Sequence, residues 1–224
     1  MSQNVTYTLN DGVALITLDD GKANAVSPDF VCSVNAALDQ AEVDKAIVVI
    51  TGREGKFCAG FDLKIMQAGG EAAQALLTDG ARLAYRLLAH PTPVVIACTG
   101  HCLAMGALFL LSADYRIGAD GAFKIGLNEV GIKMTMPYFG VEIAKARLSP
   151  THQIPAVACS VLYAPQAAIA AGFLDEVADP ANILAKAMAT AQQLRQIDMK
   201  AHYETKLRLR HDVLQNMETV LRQG

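Results

Sequence analysis

The chain has 224 residues, 52% hydrophobic and 18% charged, and no linker or charge block divides it, so one α/β domain with a helical C-terminal extension is expected. A formal net charge of −3 and the absence of tryptophan leave no electrostatic footprint for nucleic acid. The five cysteines (Cys32, Cys58, Cys98, Cys102 and Cys159) are odd in number, lie in apolar stretches and form no CxxC pair, which argues against a disulfide framework or a zinc site and for buried, reduced thiols. With a polar start that lacks a signal-peptide pattern, this points to a cytoplasmic protein.

Val5, Tyr7 and Leu9 alternate with polar residues, Val13, Leu15 and Thr17 do so loosely, and Asn10-Asp11-Gly12 between them is turn chemistry for a hairpin. Ser27-Pro28 opens a helix as N-cap and first position, with Phe30, Val31, Val34, Leu38 and Ala41 on one face. Residues 46–50 (AIVVI) predict a fully buried, parallel, central strand. It leads into residues 57–63 (FCAGFDL), where a buried strand breaks at small residues into a helix. Leu76, Leu77, Leu83, Ala84, Leu87 and Leu88 then mark an amphipathic helix, with Gly80 as its weak point. Residues 93–98 predict a second buried strand, and a second break follows at 99–106 (TGHCLAMG) before a helix over 103–112. A β-α-β crossover of this kind brings both breaks to one edge of the sheet.

Residues 93–113 are almost uncharged and about as long as a bilayer-spanning helix, but the β-branched run and its interruption at Thr99-Gly100-His101 read as soluble core. Residues 114–118 and 122–125 suggest further strands, followed by a loop over 126–131. Beyond Pro137 the pattern is mostly helical, with caps at Ser149-Pro150 and Asp179-Pro180 and a stop near Gly172. The last helix, about 198–222, carries Lys200, Lys206, Arg208, Arg210 and Arg222, read as a solvated face.

The two breaks are the first candidates for chemistry. Such breaks leave N–H groups unpaired; if they face one another, their amides can hold the negative charge that a carbonyl oxygen gains when the adjacent carbon is deprotonated. Equally, they are turns that need small residues for close packing. Glu129 is the second candidate. It is the only acid between Asp120 and Glu142, bracketed by Ile125, Leu127, Val130, Ile132, Met134 and Met136. There a carboxylate either loses hydration, so that its pKa rises from about 4.3 and it becomes a proton shuttle, or it is a solvated loop charge. His101 reads as a packed core residue, and Asp62 as the complement of its helix N-terminus. Asp114 reads as structural. Lys22, Arg53, Lys56 and Lys64 surround the first break and either meet phosphates or are surface charges, with Lys64 the best placed. GxSxG, Walker A, GxGxxG and HExxH motifs do not occur.

Taken in order, residues 56–63, 99–106, 112–117 (SADYRI) and 125–130 (IGLNEV) resemble the crotonase family, the enoyl-CoA hydratases and isomerases. The match runs from about Val13 to Val177, and residues 164–173 fit the family's later helical part. The resemblance implies a crotonase-type (ClpP/crotonase) β-β-α spiral core over residues 1–177, with a helical extension over 178–224 engaged in trimer packing. It also implies a homotrimer or a hexamer of two trimers, while charge and hydropathy lead to the expectation of no nucleic-acid or membrane partner. The substrate would be an acyl-CoA whose thioester carbonyl sits in an oxyanion hole. Carried over by position, the oxyanion donors are the N–H groups of Phe61 and Met105, and Glu129 is the catalytic glutamate. Lys22, Ala23, Ala59, Gly60 and Lys64 meet the CoA moiety. No metal or redox cofactor is implied, coenzyme A entering as part of the substrate.

Three features depart from the pattern. Hydratases of the family carry a second glutamate three residues beyond the second oxyanion donor, where this chain has Leu108. Ala104-Met105-Gly106 replaces a run of glycines, and Lys133 stands where glycine is common. Water addition needs one group to activate water and another to protonate carbon, whereas shifting a 3-enoyl double bond to the 2-position needs one carboxylate. Residues 125–129 are also similar to the mitochondrial Δ3,Δ2-enoyl-CoA isomerase branch, which lacks the second glutamate. The expectation is an enoyl-CoA isomerase. The alternatives are a hydratase or other enolate-forming acyl-CoA enzyme, or a catalytically silent acyl-CoA-binding or scaffold protein.

Overall fold

The structure, a computed structural model, describes residues 4–223. Its larger sheet contains β1 (Val5–Asn10), β2 (Val13–Leu18), β3 (Ile47–Thr51), β5 (Val94–Cys98), β7 (Tyr115–Ala119) and β9 (Glu176–Ala178), side by side in that order. β1 and β2 form the expected antiparallel hairpin. Asp11 and Gly12 both hold positive φ (47° and 73°), the combination a two-residue hairpin turn requires. All other pairings in this sheet are parallel. β3 and β5 are buried along their whole length, because apolar side chains leave both faces. Val48, Ile50, Val94 and Ile96 enter the main core, while Ile47, Val49, Val95 and Ala97 pack beneath Ile183, Ala187 and Ala191.

A second sheet joins β4 (Gly55–Cys58), β6 (Gly100–Leu103) and β8 (Ile125–Gly126), all parallel. Each follows a strand of the larger sheet, and helices follow in turn: α2 (Leu63–Ala68) and α3 (Gly70–Leu88) after β4, and α4 (Met105–Ser112) after β6. This repeat is the β-β-α spiral. The two breaks therefore end strands of the small sheet, not β3 and β5 themselves. Residues 122–124 join no strand, leaving β8 two residues long.

α1 (Pro28–Val43) forms as expected: Ser27 Oγ accepts the Phe30 N–H at 3.2 Å, and Phe30, Val31, Val34, Leu38 and Ala41 are buried. α5 (Tyr138–Arg147), α6 (Pro150–Gln153) and α7 (Pro165–Ala171) follow, the last stopping at Gly172. Ser149 precedes α6 without capping it, its hydroxyl donating instead to the Ala170 carbonyl at 2.7 Å. Asp179-Pro180 is likewise not a helix cap; Asp179 closes a turn by accepting the Ala181 N–H, and α8 (Ile183–Leu194) starts later.

The expected single C-terminal helix is two, α9 (Met199–Leu209) and α10 (His211–Gln223), broken at Arg210. Its cations are not all a solvated face. Lys206 and Arg210, four apart and so on one side, are buried against Asp114. Lys206 Nζ lies 2.7 Å from Asp114 Oδ2, and Arg210 Nη2 lies 3.0 Å from Oδ1. Arg210 also donates to the carbonyls of Leu88 and Ala113, at the ends of α3 and α4. On the neighbouring strand Arg116 pairs in bidentate fashion with Asp175, so the residue 112–117 motif ties the C-terminal elements to β7. Among the cysteines, Cys58, Cys98 and Cys102 are buried as expected, while Cys32 and Cys159 are exposed. Among the described residues no helix is long and apolar enough to cross a membrane; residues 94–112 are divided among β5, β6 and α4.

Candidate active site

The turn after β4 needs Gly60 for two reasons. Its φ is +93°, and a Cβ there would lie 2.7 Å from Cβ of Ala104 and 3.4 Å from the Met105 nitrogen. The two breaks are thus in contact, Gly60 of the first against Ala104 and Met105 of the second. Backbone bonding leaves donors at both. Around Phe61, Val26 receives and returns the flanking bonds (Val26 N–H to Gly60 O and Asp62 N–H to Val26 O), and the Phe61 N–H itself donates to no acceptor among the described residues. Met105 opens the buried helix α4 behind Ala104, which offers no capping side chain, and its N–H is likewise without a protein acceptor among the described residues. Ala104 holds φ 49°, ψ −124°, a conformation foreign to residues with a Cβ, and it turns the chain from β6 into α4.

Gly80, expected as a weak point of α3, is a point of close approach. A Cβ there would be 2.6 Å from the Phe61 ring and 3.4 Å from Cε of Met105, so α3 seats the side chains of both residues whose amides are free. Asp62 caps α2 by accepting the N–H groups of Lys64 and Ile65, the structural role anticipated.

A cavity of about 140 Å³ opens beside these turns, with Ala59, Phe61, Ala104, Leu108, Asn128 and Glu129 among its walls. Glu129 is 6% exposed, at the start of the 3-10 turn Val130–Ile132. Burial pushes its carboxyl up to about 7, only partly offset by a hydrogen bond from its own N–H, and Oε2 has no partner. Val130 is 44% exposed and lines no part of the cavity, while Ile132, 41% exposed, joins Leu108 and Met134 among the walls around Glu129. Leu108 is 1% exposed. Of the described residues lining this cavity, Glu129 alone is ionisable. Lys133 holds φ 66°, ψ 30°, the left-handed conformation that explains why glycine suits this position.

Of the candidates for CoA contact, Ala59 lines the cavity. The Ala59 N–H donates to Ala23 O at 3.0 Å, which joins the Lys22-Ala23 and Ala59-Gly60 segments, and the exposed Lys22 and Lys64 flank them. Arg53 is not free, donating to the Lys22 carbonyl at 2.6 Å. His101 is neither a base at the cavity nor a core residue; half-buried, it accepts the Lys124 N–H at 3.1 Å. Burial pushes the Cys58 thiol up to about 12, so it stays protonated beside the first turn.

Sequence reasoning missed two residues here. Asn24, buried at φ 52°, donates to Leu18 O and Phe57 O and so ties the Lys22-Ala23 segment to β4. Asp20 gathers the N–H groups of Lys22, Asn24 and Ala25. Burial opposes its ionisation, but those three donors and Arg53 hold it below the usual carboxylate range. Their signal was present as an Asp followed by Gly and Asn, the composition of an Asx turn.

A family model described as "Enoyl-CoA hydratase/isomerase" matches residues 8–223. The crystal structure of an enoyl-CoA hydratase/isomerase family protein from Pseudomonas syringae is 48% identical with a TM-score of 0.97, covering 99% of this chain and 96% of that one. An enoyl-CoA hydratase from Mycobacterium marinum is 40% identical with a TM-score of 0.94, covering 98% and 96%. The human mitochondrial protein named enoyl-CoA delta isomerase 1 is 28% identical over 204 residues, 89% of this chain and 68% of that protein.

Proposed function

Since the chain belongs to the enoyl-CoA hydratase/isomerase family and has its crotonase-type fold, we propose that it is an enoyl-CoA isomerase that moves a 3-enoyl double bond to the 2-position with Glu129 as its one proton carrier. The thioester carbonyl accepts hydrogen bonds from the N–H groups of Phe61 and Met105. Glu129 takes a proton from C2, the electron pair of that C–H bond passes into a dienolate whose oxygen the two amides stabilise, and the same carboxyl returns the proton to C4. No water or second acid enters. Lys22, Ala23, Ala59, Gly60 and Lys64 form the rim for the CoA moiety, the lysines meeting its phosphates.

What supports isomerase over hydratase is the composition of the cavity: one ionisable side chain, Glu129, and the apolar Leu108 where a water-activating glutamate would be needed. The human relative named as an isomerase and the mycobacterial one named as a hydratase are both similar, so the names do not choose between them. The family resemblance also supports assembly as a trimer or a pair of trimers, to be read from the mass in solution. The test is to offer 3-enoyl-CoA and 2-enoyl-CoA thioesters to one preparation. Isomerisation without hydration is expected, and Glu129→Gln abolishes it while the circular dichroism stays that of the wild type. Faster hydration than isomerisation reverses the assignment. Thioester binding without turnover makes the chain a silent binder.

A further inference from the structure

A carboxyl on a loop transfers protons between two carbons reproducibly only if the loop is held to within a fraction of an ångström. Residues 160–163 meet the Glu129 loop at both ends. Ahead of Glu129, Ile125 of β8 exchanges two hydrogen bonds with Tyr163, N–H to O and O to N–H, each 2.9 Å. Beyond it, the Gly131 N–H donates to Ser160 Oγ at 2.8 Å. Between these ties the chains touch: a Cβ on Gly126 would lie 2.9 Å from Leu162 Cδ2 and 3.1 Å from the Val161 carbonyl.

The segment that makes these contacts is itself anchored. It leaves α6 through a π-helical turn, Ile154–Ala158, where the Cys159 N–H donates to Ile154 O and the Val161 N–H to Pro155 O. The Tyr163 hydroxyl lies 3.1 Å from His152 Nδ1, and the Tyr163 ring packs against Phe173. Ser160 holds φ 53°, left-handed for a residue with a side chain. Glycine would fit that backbone better, yet it would remove the hydroxyl that the Gly131 amide uses. Neither Ser160 nor Tyr163 lines the cavity.

We propose that residues 160–163 are a brace that positions Glu129 for proton transfer, with Ser160 a positioning residue that acts through the Gly131 amide. The proposal rests on the reading of Glu129 as the proton carrier. Three variants separate positioning from stability. Ser160→Gly relieves the left-handed strain and deletes the hydroxyl, Ser160→Ala deletes the hydroxyl and keeps the strain, and Ser160→Thr keeps both. Expected for Ser160→Gly is a wild-type melting temperature with kcat for 3-enoyl isomerisation down about tenfold and KM changed less than about twofold. Ser160→Ala falls likewise in kcat, and Ser160→Thr recovers most of it. If Ser160→Gly keeps full kcat, or if activity across the three simply follows melting temperature, the brace is refuted.

A readout without turnover keeps the two claims apart. In Ser160→Gly, amide hydrogen exchange over residues 129–133 should quicken, and the Glu129 carboxyl, followed by carbon NMR, should titrate lower than in the wild type. A wild-type chain that turns over no thioester removes the isomerase reading. The exchange and titration data then decide the brace alone, and identical behaviour in Ser160→Gly overturns it.

Discussion

At the scale of single residues, the cavity depends on one carboxyl whose burial has consequences at two pH-dependent levels. Glu129 accepts a proton only when ionised, and burial pushes its pKa up to about 7. The rate of isomerisation, as kcat/KM, should therefore rise with pH and level off above about 7, with the acid limb absent from any residual activity of Glu129→Gln. A flat profile between pH 5 and 8, set as about that window by the ordinary and raised pKa values, contradicts the role. Stability moves the other way. Between the ordinary pKa near 4.5 and about 7 the folded chain holds a proton that the unfolded chain has lost, so stability falls as pH rises through this window. Glu129→Gln removes that loss and should gain on the order of 2–3 kcal/mol over the wild type at pH 8, measured by urea unfolding at both ends of the window. Ala104 stores strain at the second turn, at φ 49°. Ala104→Gly should raise the melting temperature by about 2–4 °C, for roughly 1 kcal/mol of relieved strain, and leave kcat near the wild-type value because the Met105 amide stays in place. A fall in melting temperature would show that the conformation is not strained.

At the scale of elements, α10 is tied across α3 and α5, beside the Glu129 cavity. Tyr85 of α3 donates to Glu218 at 2.7 Å, and Asn216 donates to Glu142 of α5 at 2.7 Å. Beneath α10 lies a second cavity of about 210 Å³, whose walls include Val220 and Leu221 and which shares Leu77 and Pro137 with the Glu129 cavity. An acyl tail that outgrows the first cavity would extend toward this one. Leu221→Ala should accordingly lower KM for longer acyl chains relative to short ones with kcat unchanged, and an identical chain-length profile for variant and wild type would exclude α10 as the far wall. Where an element states its own period, the sequence was legible: the hairpin from Asn10-Asp11-Gly12, α1 from its cap and apolar stripe, and β3 and β5 from unbroken apolar runs. The small sheet was not, because strands of two to four residues such as β8 and β4 carry no period, and their pairing is set by the larger sheet above them. The isolation of Glu129 among apolar residues was legible, but not what buries it, since the adjacent Val130 and Ile132 are partly exposed and the distant Leu108 supplies part of the wall. The burial of Lys206 and Arg210 was not legible, since nothing local distinguishes them from the exposed Lys200 and Arg208.

At the scale of the whole molecule, those two buried cations join the C-terminal helices to the sheet through a single carboxylate. Asp114 accepts from the Val94 N–H at 2.7 Å while holding Lys206 and Arg210, whose side chains are 4% and 7% exposed. Burial lowers the pKa of both cations, with Arg210 adding to the effect on Lys206 and Arg116 to the effect on Arg210, and Asp114 opposes it in both. The cluster is therefore a case in which removal of the shared anion leaves two desolvated positive charges facing one another. Asp114→Asn should cost about 3–5 kcal/mol, a fall in melting temperature of roughly 10 °C or more for a chain of this size. Lys206→Met should cost far less, because Asp114 keeps Arg210 and the methionine fills the vacated space. Joining the two changes should then recover part of the loss from Asp114→Asn, since one of the two stranded cations is gone. A double variant whose loss equals the sum of the single losses would show that Lys206 and Asp114 are not coupled, and one whose loss exceeds that sum would show coupling of the wrong sign; either result overturns the shared-anion account.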